Sequence, residues 1–263
     1  MPRARRSARL QLFTKWVPKP GPVSAADVRA AIERSLTRLQ MPAIDLLQFH
    51  AWNYADPSWL DALFHLQDLK REGLIRQIGL TNVDAAHLRV VLASGIEVVS
   101  NQVSCSLIDR RAAGRLAAVC AEFGVGLLAY GTVCGGWLSE KWLGKDEPAW
   151  ETDGTWSQMK YGRFIREAGG WTALQRVLRA AKDAAARHGV SLTNVATRFI
   201  MEQPGVAAVI VGARLGERAH IDDNQRLCSF QLTSDDRADL EAAIATLAPI
   251  PGDCGDEYRV PPF

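Results

Sequence analysis

An α/β architecture of parallel strands wound as a barrel is predicted by two features of the sequence. Six short runs rich in Val, Ile, Leu and Phe each precede a helix-like segment, the alternation that parallel βαβ units require. Polar residues close these runs, beginning with Lys15 after Leu10-Gln11-Leu12-Phe13-Thr14 and His50 after Ile44-Asp45-Leu46-Leu47-Gln48-Phe49. The carboxyl ends of barrel strands are where such folds keep their chemistry.

At 263 residues, with 48% hydrophobic and 23% charged content, the chain has the core-forming capacity and size of one α/β barrel domain. Residues 1–263 are therefore read as a single domain. Thirty-one basic against 29 acidic residues leave a formal charge of +2, too balanced for a nucleic-acid footprint. The expected partner is a small molecule. Five widely spaced cysteines without a C-x-x-C pair argue for a reducing compartment, the cytoplasm, and against a structural metal site. No apolar run reaches the roughly 18 residues of a membrane span. The basic start, residues 2–9, reads as a solvated segment leading into the first strand.

The strands are predicted at residues 10–15, 44–50, 75–81, 97–102, 126–130 and 207–211. Ser24-Ala25-Ala26-Asp27 resembles a capping box, and Val28, Ile32, Leu36 and Leu39 continue it at helical spacing. Trp59, Leu63, Leu66 and Leu69 form a second stripe that ends at Glu72-Gly73, where glycine can adopt the left-handed helix-end conformation. Further helices are predicted over 110–122, 174–188 and 191–202, and Thr233-Ser234-Asp235-Asp236 opens a last one with acids at its positive end. Residues 131–170 read as an irregular insert, a lid or binding loop above the strand ends. A closed barrel has eight units, so the expectation is an incomplete barrel of six. Two further strand-helix units would occupy roughly 50 to 60 residues ahead of Met1.

The ends of the runs carry the candidate chemistry. Trp16 follows Lys15, and Trp52 and Tyr54 follow His50, so aromatic walls for a substrate pocket flank both. Thr81-Asn82 and Ser100-Asn101-Gln102 supply the donors and acceptors that a primary carboxamide needs. Asn82 also has a simpler use as a turn residue before the helix containing Asp84. Tyr130-Gly131 offers a flat ring, and Gly212-Ala213-Arg214-Leu215-Gly216-Glu217-Arg218 is a glycine-bearing turn with two arginines, suited to phosphate at a helix start.

Phe13-Thr14-Lys15-Trp16, residues 44–50, Gly73 through Asn82, Ser100-Asn101-Gln102, Leu127-Leu128-Ala129-Tyr130-Gly131 and the Gly212-Ala213-Arg214 turn, taken in order, resemble the aldo-keto reductase family. The resemblance implies an NADPH-dependent reductase on a (β/α)8 barrel, with NADH also admitted. It implies a catalytic lysine at Lys15 and a catalytic histidine at His50. By the same resemblance Thr81, Asn82 and Gln102 hold the nicotinamide carboxamide and Tyr130 stacks on its ring. Gly212, Arg214 and Arg218 match the phosphate turn, and Asp223 and Asn224 the pair near the adenine.

The family's tetrad also has an aspartate and a proton-donating tyrosine ahead of the lysine, and no residue from 1 to 14 is Asp or Tyr. A phenol, with an ordinary pKa near 10, protonates the developing alkoxide when a neighbouring lysine favours its phenolate. General acid catalysis is worth roughly 10²- to 10⁴-fold, so this chain alone is expected to reduce carbonyls poorly. The leading expectation is a reductase of an aldehyde, ketone or sugar. A silent nucleotide-binding or redox-sensing subunit is the second, and a Schiff-base lyase using Lys15 is the third. Residues 252–259, rich in acids, read as a solvated or subunit-contacting tail.

Overall fold

The computed structural model describes residues 10–149, 155–213, 216 and 220–259. The basic start and the arginines Arg214 and Arg218 lie outside the described residues. The elements follow the order β1 (Phe13–Trp16), α1 (Ala25–Leu39), β2 (Ile44–Phe49), α2 (Ser58–Arg71), β3 (Ile75–Thr81), α3 (Ala85–Ala93), β4 (Ser100–Ser104), α4 (Arg115–Phe123), β5 (Gly126–Tyr130), α5 (Trp156–Glu167), α6 (Gly170–His188), α7 (Leu192–Met201), β6 (Val206–Val209), α8 (Ile221–Gln225) and α9 (Ser234–Ile244). Among the described residues the six strands form one sheet in the order β1-β2-β3-β4-β5-β6, open at β1 and β6. The predicted parallel α/β arrangement is present.

Residue contacts divide the chain into two compact units. The first holds residues 1–102, 122–125 and 255–263, the second 103–121 and 126–254. In the first, β1 pairs with β2 so that Lys15 lies opposite Gln48, and β3 pairs with β4 so that Thr81 lies opposite Gln102. Its core joins Val28 and Ile32 of α1 with Leu47 and Phe49 of β2, Leu63 and Leu66 of α2, and Ile78 and Leu80 of β3, all fully buried. The Ser24 hydroxyl accepts from Asp27 N–H while the Asp27 carboxylate accepts from Ser24 N–H, which completes the predicted capping box. Gly73, at φ +85°, takes the left-handed conformation at the end of α2.

The second unit is built around α6 and α7. Leu174, Val177, Leu178 and Ala181 of α6 and Val195, Ala196, Phe199 and Ile200 of α7 are fully buried. Two expectations change here. The helix predicted over 110–122 is a 3₁₀ turn, Arg111–Ala113, separated from α4 by Gly114 at φ −95° and ψ −122°, a conformation no helix contains. The insert over 131–170 is only partly irregular, because Thr155 and Gln158 form a reciprocal capping box that starts α5 inside it. Trp137 donates to Gln158 O at 2.9 Å and packs at a tilt with its ring centre 4.4 Å from that of Trp142, so the insert has a hydrophobic centre of its own.

Asp236, fully buried at the start of α9, receives hydrogen bonds from the Thr233 N–H and hydroxyl, from Arg187 at 2.7 Å and from His188 at 2.6 Å. Burial pushes its carboxyl up, but these bonds outweigh burial and hold it well below the ordinary carboxylate range. A depressed folded-state pKa contributes stability above the unfolded value and loses it as pH falls through the folded one. Unfolding free energy should therefore hold between pH 7 and 5 and decline below about pH 4. Asp236→Asn should lower stability at pH 7 by roughly 2 to 4 kcal/mol and flatten that decline, as read by urea titration at several pH values. Burial also pushes the Cys105 and Cys134 thiols up to about 12, whereas Cys228 is exposed. A chromogenic disulfide reagent at pH 8 should label Cys228 rapidly in folded protein and the other two only after denaturation.

Candidate active site

The first unit carries its polar residues at the carboxyl ends of β1 to β4. Lys15, on the exposed edge strand, donates from Nζ to Gln102 Oε1 at 2.8 Å. His50 N–H donates to Trp16 O at 3.0 Å, extending the β1–β2 pairing by one residue and fixing the imidazole at the rim. That imidazole is 7% exposed, with the Trp52 ring 5.5 Å away. Trp16 packs on Phe49 at 5.8 Å, and Trp52 is 45% exposed, so of the two tryptophans Trp52 faces solvent more openly.

At the end of β3 the backbone turns sharply. Asn82 sits at φ +55°, a left-handed conformation that asparagine tolerates better than most residues. Its N–H donates to Gln102 O at 2.8 Å. Asn101, fully buried, donates to Val83 O at 2.7 Å and accepts from Val83 N–H at 3.4 Å, which clamps the next residue from the neighbouring strand. Asp84 then caps α3 by accepting from His87 N–H at 3.0 Å. Asn82 is thus both a turn residue and a rim residue. Beside it, Thr81 Oγ1, Gln48 Oε1 and Ser100 Oγ are buried with no hydrogen-bond partner among the described residues. Buried polar atoms need partners, and a carboxamide brings both a donor and an acceptor. The Thr81, Asn82 and Gln102 set fits a nicotinamide amide.

Residues 255–259 return to this rim. Gly255, at φ +91°, lies so close to Asn82 O that a Cβ there would stand 2.4 Å from it. The Arg259 guanidinium donates to Asn82 O and, at 2.8 Å, to the Tyr54 hydroxyl, and it lies 3.9 Å from the Asp84 carboxylate. Tyr54 stacks on His87 with ring centres 3.6 Å apart. Burial pushes the Tyr54 hydroxyl well above the ordinary phenol range, opposed by the Arg259 cation. Between Gly255 and Arg259 a 3₁₀ turn, Asp256–Tyr258, sets the Tyr258 ring edge-on to His50 at 5.6 Å and 6.2 Å from Trp52. The segment 252–259, read from sequence as a solvated or subunit-contacting tail, has Glu257 and the Arg259 side chain each 7% exposed within its own unit.

In the second unit, Tyr130 ends β5 with Lys160 Nζ 5.1 Å above its ring and 3.5 Å from its hydroxyl. Gly131, at φ +71°, would drive a Cβ to within 2.2 Å of the Tyr161 hydroxyl, so only glycine lets α5 seat there. A cavity of about 670 Å³ is lined by Gly131, Thr132, Lys141, Gly212, His220, Asp223 and Asn224. Asn224 donates to Gly212 O at 3.5 Å. Asp223 accepts from Ser191 at 3.1 Å and Asn194 at 3.0 Å and so ties α8 to α7.

The structure thus brings Lys15, His50, Thr81, Asn82 and Gln102 together within the first unit, and Gly131, Gly212, Asp223 and Asn224 around one cavity in the second. Sequence reasoning missed Gln48, Lys160, Tyr258 and Arg259, and it read Asn101 as a carboxamide partner where the structure has it clamp Val83. For Tyr258 and Arg259 the available signal was an aromatic and a cation directly after the acidic pair Asp256-Glu257.

Three comparisons bear on this arrangement. A model described as the Aldo/keto reductase family matches residues 3–245. The chain is 31% identical over 237 residues to protein tas of Escherichia coli, covering 82% of this chain and 66% of that protein. It is 27% identical over 228 residues to the D-threo-aldose 1-dehydrogenase of a Pseudomonas species, covering 85% and 63% respectively. The chain therefore spans about two thirds of the length of these relatives. Among solved structures, the glycerol dehydrogenase of Gluconobacter oxydans superposes with a TM-score of 0.69 at 22% identity, over 87% of this chain and 67% of that one. Asn101→Ala should leave the buried Val83 N–H and C=O unsatisfied and cost about 1 to 3 kcal/mol, measured by urea unfolding.

Proposed function

The chain belongs to the aldo/keto reductase family, and from that premise we propose that it reduces a small-molecule carbonyl with a nicotinamide cofactor, NADPH by preference and NADH also admitted. The observation that carries this reading is the 2.8 Å bond from Lys15 to Gln102. It puts a cation on the same rim as the Thr81-Asn82 turn and its unpartnered buried hydroxyl. In this reading Thr81, Asn82 and Gln102 hold the carboxamide, and Tyr130 presents its ring face. Gly131, Gly212, Asp223 and Asn224 line a cavity of the second unit that suits the phosphates and base of a nucleotide. Trp16, Trp52 and Tyr54 border the substrate.

When bound, the reduced nicotinamide supplies a hydride. The chain's own residues orient and stabilise. The Lys15 ammonium and the His50 imidazole face the oxygen on which negative charge develops, and fixed charges in a shielded site are worth far more than in water. Aldehydes, ketones and sugars are the substrate class, supported by a relative named for aldose oxidation. The reading extends to the whole of residues 1–263 as one oxidoreductase domain in the cytoplasm. The free state of all five cysteines supports the compartment, and no helix among the described residues is long and apolar enough to cross a membrane.

Titration of the chain with NADPH should quench tryptophan fluorescence, since Trp16 and Trp52 stand beside the rim. Thr81→Val, which removes one hydrogen bond of about 1 kcal/mol, should raise the NADPH Kd about fivefold. Lys15→Met should leave that Kd nearly unchanged and lower carbonyl turnover by about 10²-fold. Absence of NADPH binding would remove the reading, and binding without turnover would favour a silent nucleotide-binding subunit.

A further inference from the structure

The second unit holds a cavity that the carbonyl-reducing reading leaves unused. It measures about 470 Å³ and lies between residues 108–115, after β4, and residues 244–253, at and after the end of α9. Small-molecule sites are of this size. Its apolar wall is formed by Ile108, Ile244, Leu247, Ala248, Pro249 and Ile250. Arg110, Arg111 and Arg115 complete the lining, with Asp253 the only acid among the described lining residues.

The three arginines are not equivalent. Arg111 grips the Asp109 carboxylate through two bonds of 2.9 Å and donates to Asp253 O at 3.0 Å. Arg115 donates to the Asp253 carboxylate at 3.1 Å. Each of these cations has a counter-charge in contact. Arg110 does not. It donates to the neutral Gln203 amide oxygen at 2.9 Å and lies over the Phe199 ring at 5.0 Å. Its closest carboxylate among the described residues, Glu241, stands 3.8 Å away and is 53% exposed. The Arg110 side chain is itself only 22% exposed, and its Nη1 is buried with no hydrogen-bond partner among the described residues. A charge withdrawn from water this far is costly unless it is paired and its donors are met.

We propose that this cavity binds a small organic monoanion, an aromatic or branched carboxylate, whose charge pairs with Arg110 and whose apolar body fills the space against residues 244–250. One guanidinium without a contacting counter-charge calls for one negative charge, and a carboxylate matches its fork. Because Nη1 is enclosed, pairing turns the guanidinium toward the cavity that the side chain borders. The aliphatic wall disfavours sugars and nucleotides, whose hydroxyls would lose water there without gaining partners. The site is independent of the carbonyl-reducing reading.

The test titrates the full chain, free of cofactor, with 2-naphthoate and separately with its neutral counterpart 2-naphthalenemethanol. Calorimetry reads affinity, and the methyl resonances of Ile108, Ile244, Leu247 and Ile250 read location. Naphthoate should bind saturably and shift those methyls, and the alcohol should bind at least about tenfold more weakly. Arg110→Gln should weaken naphthoate binding about tenfold. That variant also removes the Arg110 contacts to Gln203 and Phe199, so a second variant leaves them in place. Ala248 is exposed on the cavity wall, and Ala248→Trp should fill the space and abolish binding with Arg110 intact. The proposal is overturned if naphthoate does not bind saturably, if the alcohol binds as tightly, or if affinity in either variant stays within about twofold of the parent. Shifts at Thr132, Thr197 and Val211, which line the other cavity of this unit, in place of the four named methyls would overturn it as well.

Discussion

An ammonium on β1 meets an amide oxygen on β4, although β2 and β3 lie between them. Three strand spacings in a flat sheet separate such positions by about 14 Å, with side chains standing perpendicular to the sheet. A lysine and a glutamine cannot close that gap to 2.8 Å unless the four strands curl. The curl of the first unit is therefore the constraint on which its rim depends. Gln102 serves twice, because its backbone oxygen also accepts from Asn82 N–H. One residue fixes both the cation and the sharp turn after β3.

Two strands interior to the sheet, β3 and β5, were the most legible part of the sequence. β3 and β5 have the bounds that their apolar runs suggest, since hydrogen-bonded neighbours on both sides leave such segments little choice of limits. The edge strand β1 pairs only from Phe13, and ahead of it Leu12 N–H donates to the Asp45 carboxylate at 2.9 Å instead of to a strand neighbour. β4 begins later than its run, at Ser100, because the preceding residues are taken up in leaving α3 through Gly95 at φ +76°. Lys15, His50, Thr81, Asn82 and Gln102 were legible because each closes a run, and a residue at a strand end has a place fixed by the strand. Tyr258 and Arg259 had no such marker. Their placement depends on contacts with residues some two hundred positions earlier, which no local pattern encodes.

Charge also explains why the acidic segment is not solvated. A buried guanidinium is costly unless its donors are met, and Arg259 finds a backbone carbonyl, a phenol and a carboxylate within reach. The carbonyl is available only because Asn82 adopts a left-handed conformation that Asn101, by clamping Val83, helps to hold. Turn, clamp and cation form one cooperative group, in which loss of any member exposes the others to unmet hydrogen bonds.

The first unit is discontinuous in the chain: its sheet lies before residue 103 and its closing turn after residue 254. At translation speeds of 5 to 20 residues per second, roughly 8 to 30 s separate the emergence of the two parts. During that interval a nascent chain holds its histidine without the tyrosine and its asparagine carbonyl without the arginine. The ribosome thus delivers the scaffold of this rim first and its latch last.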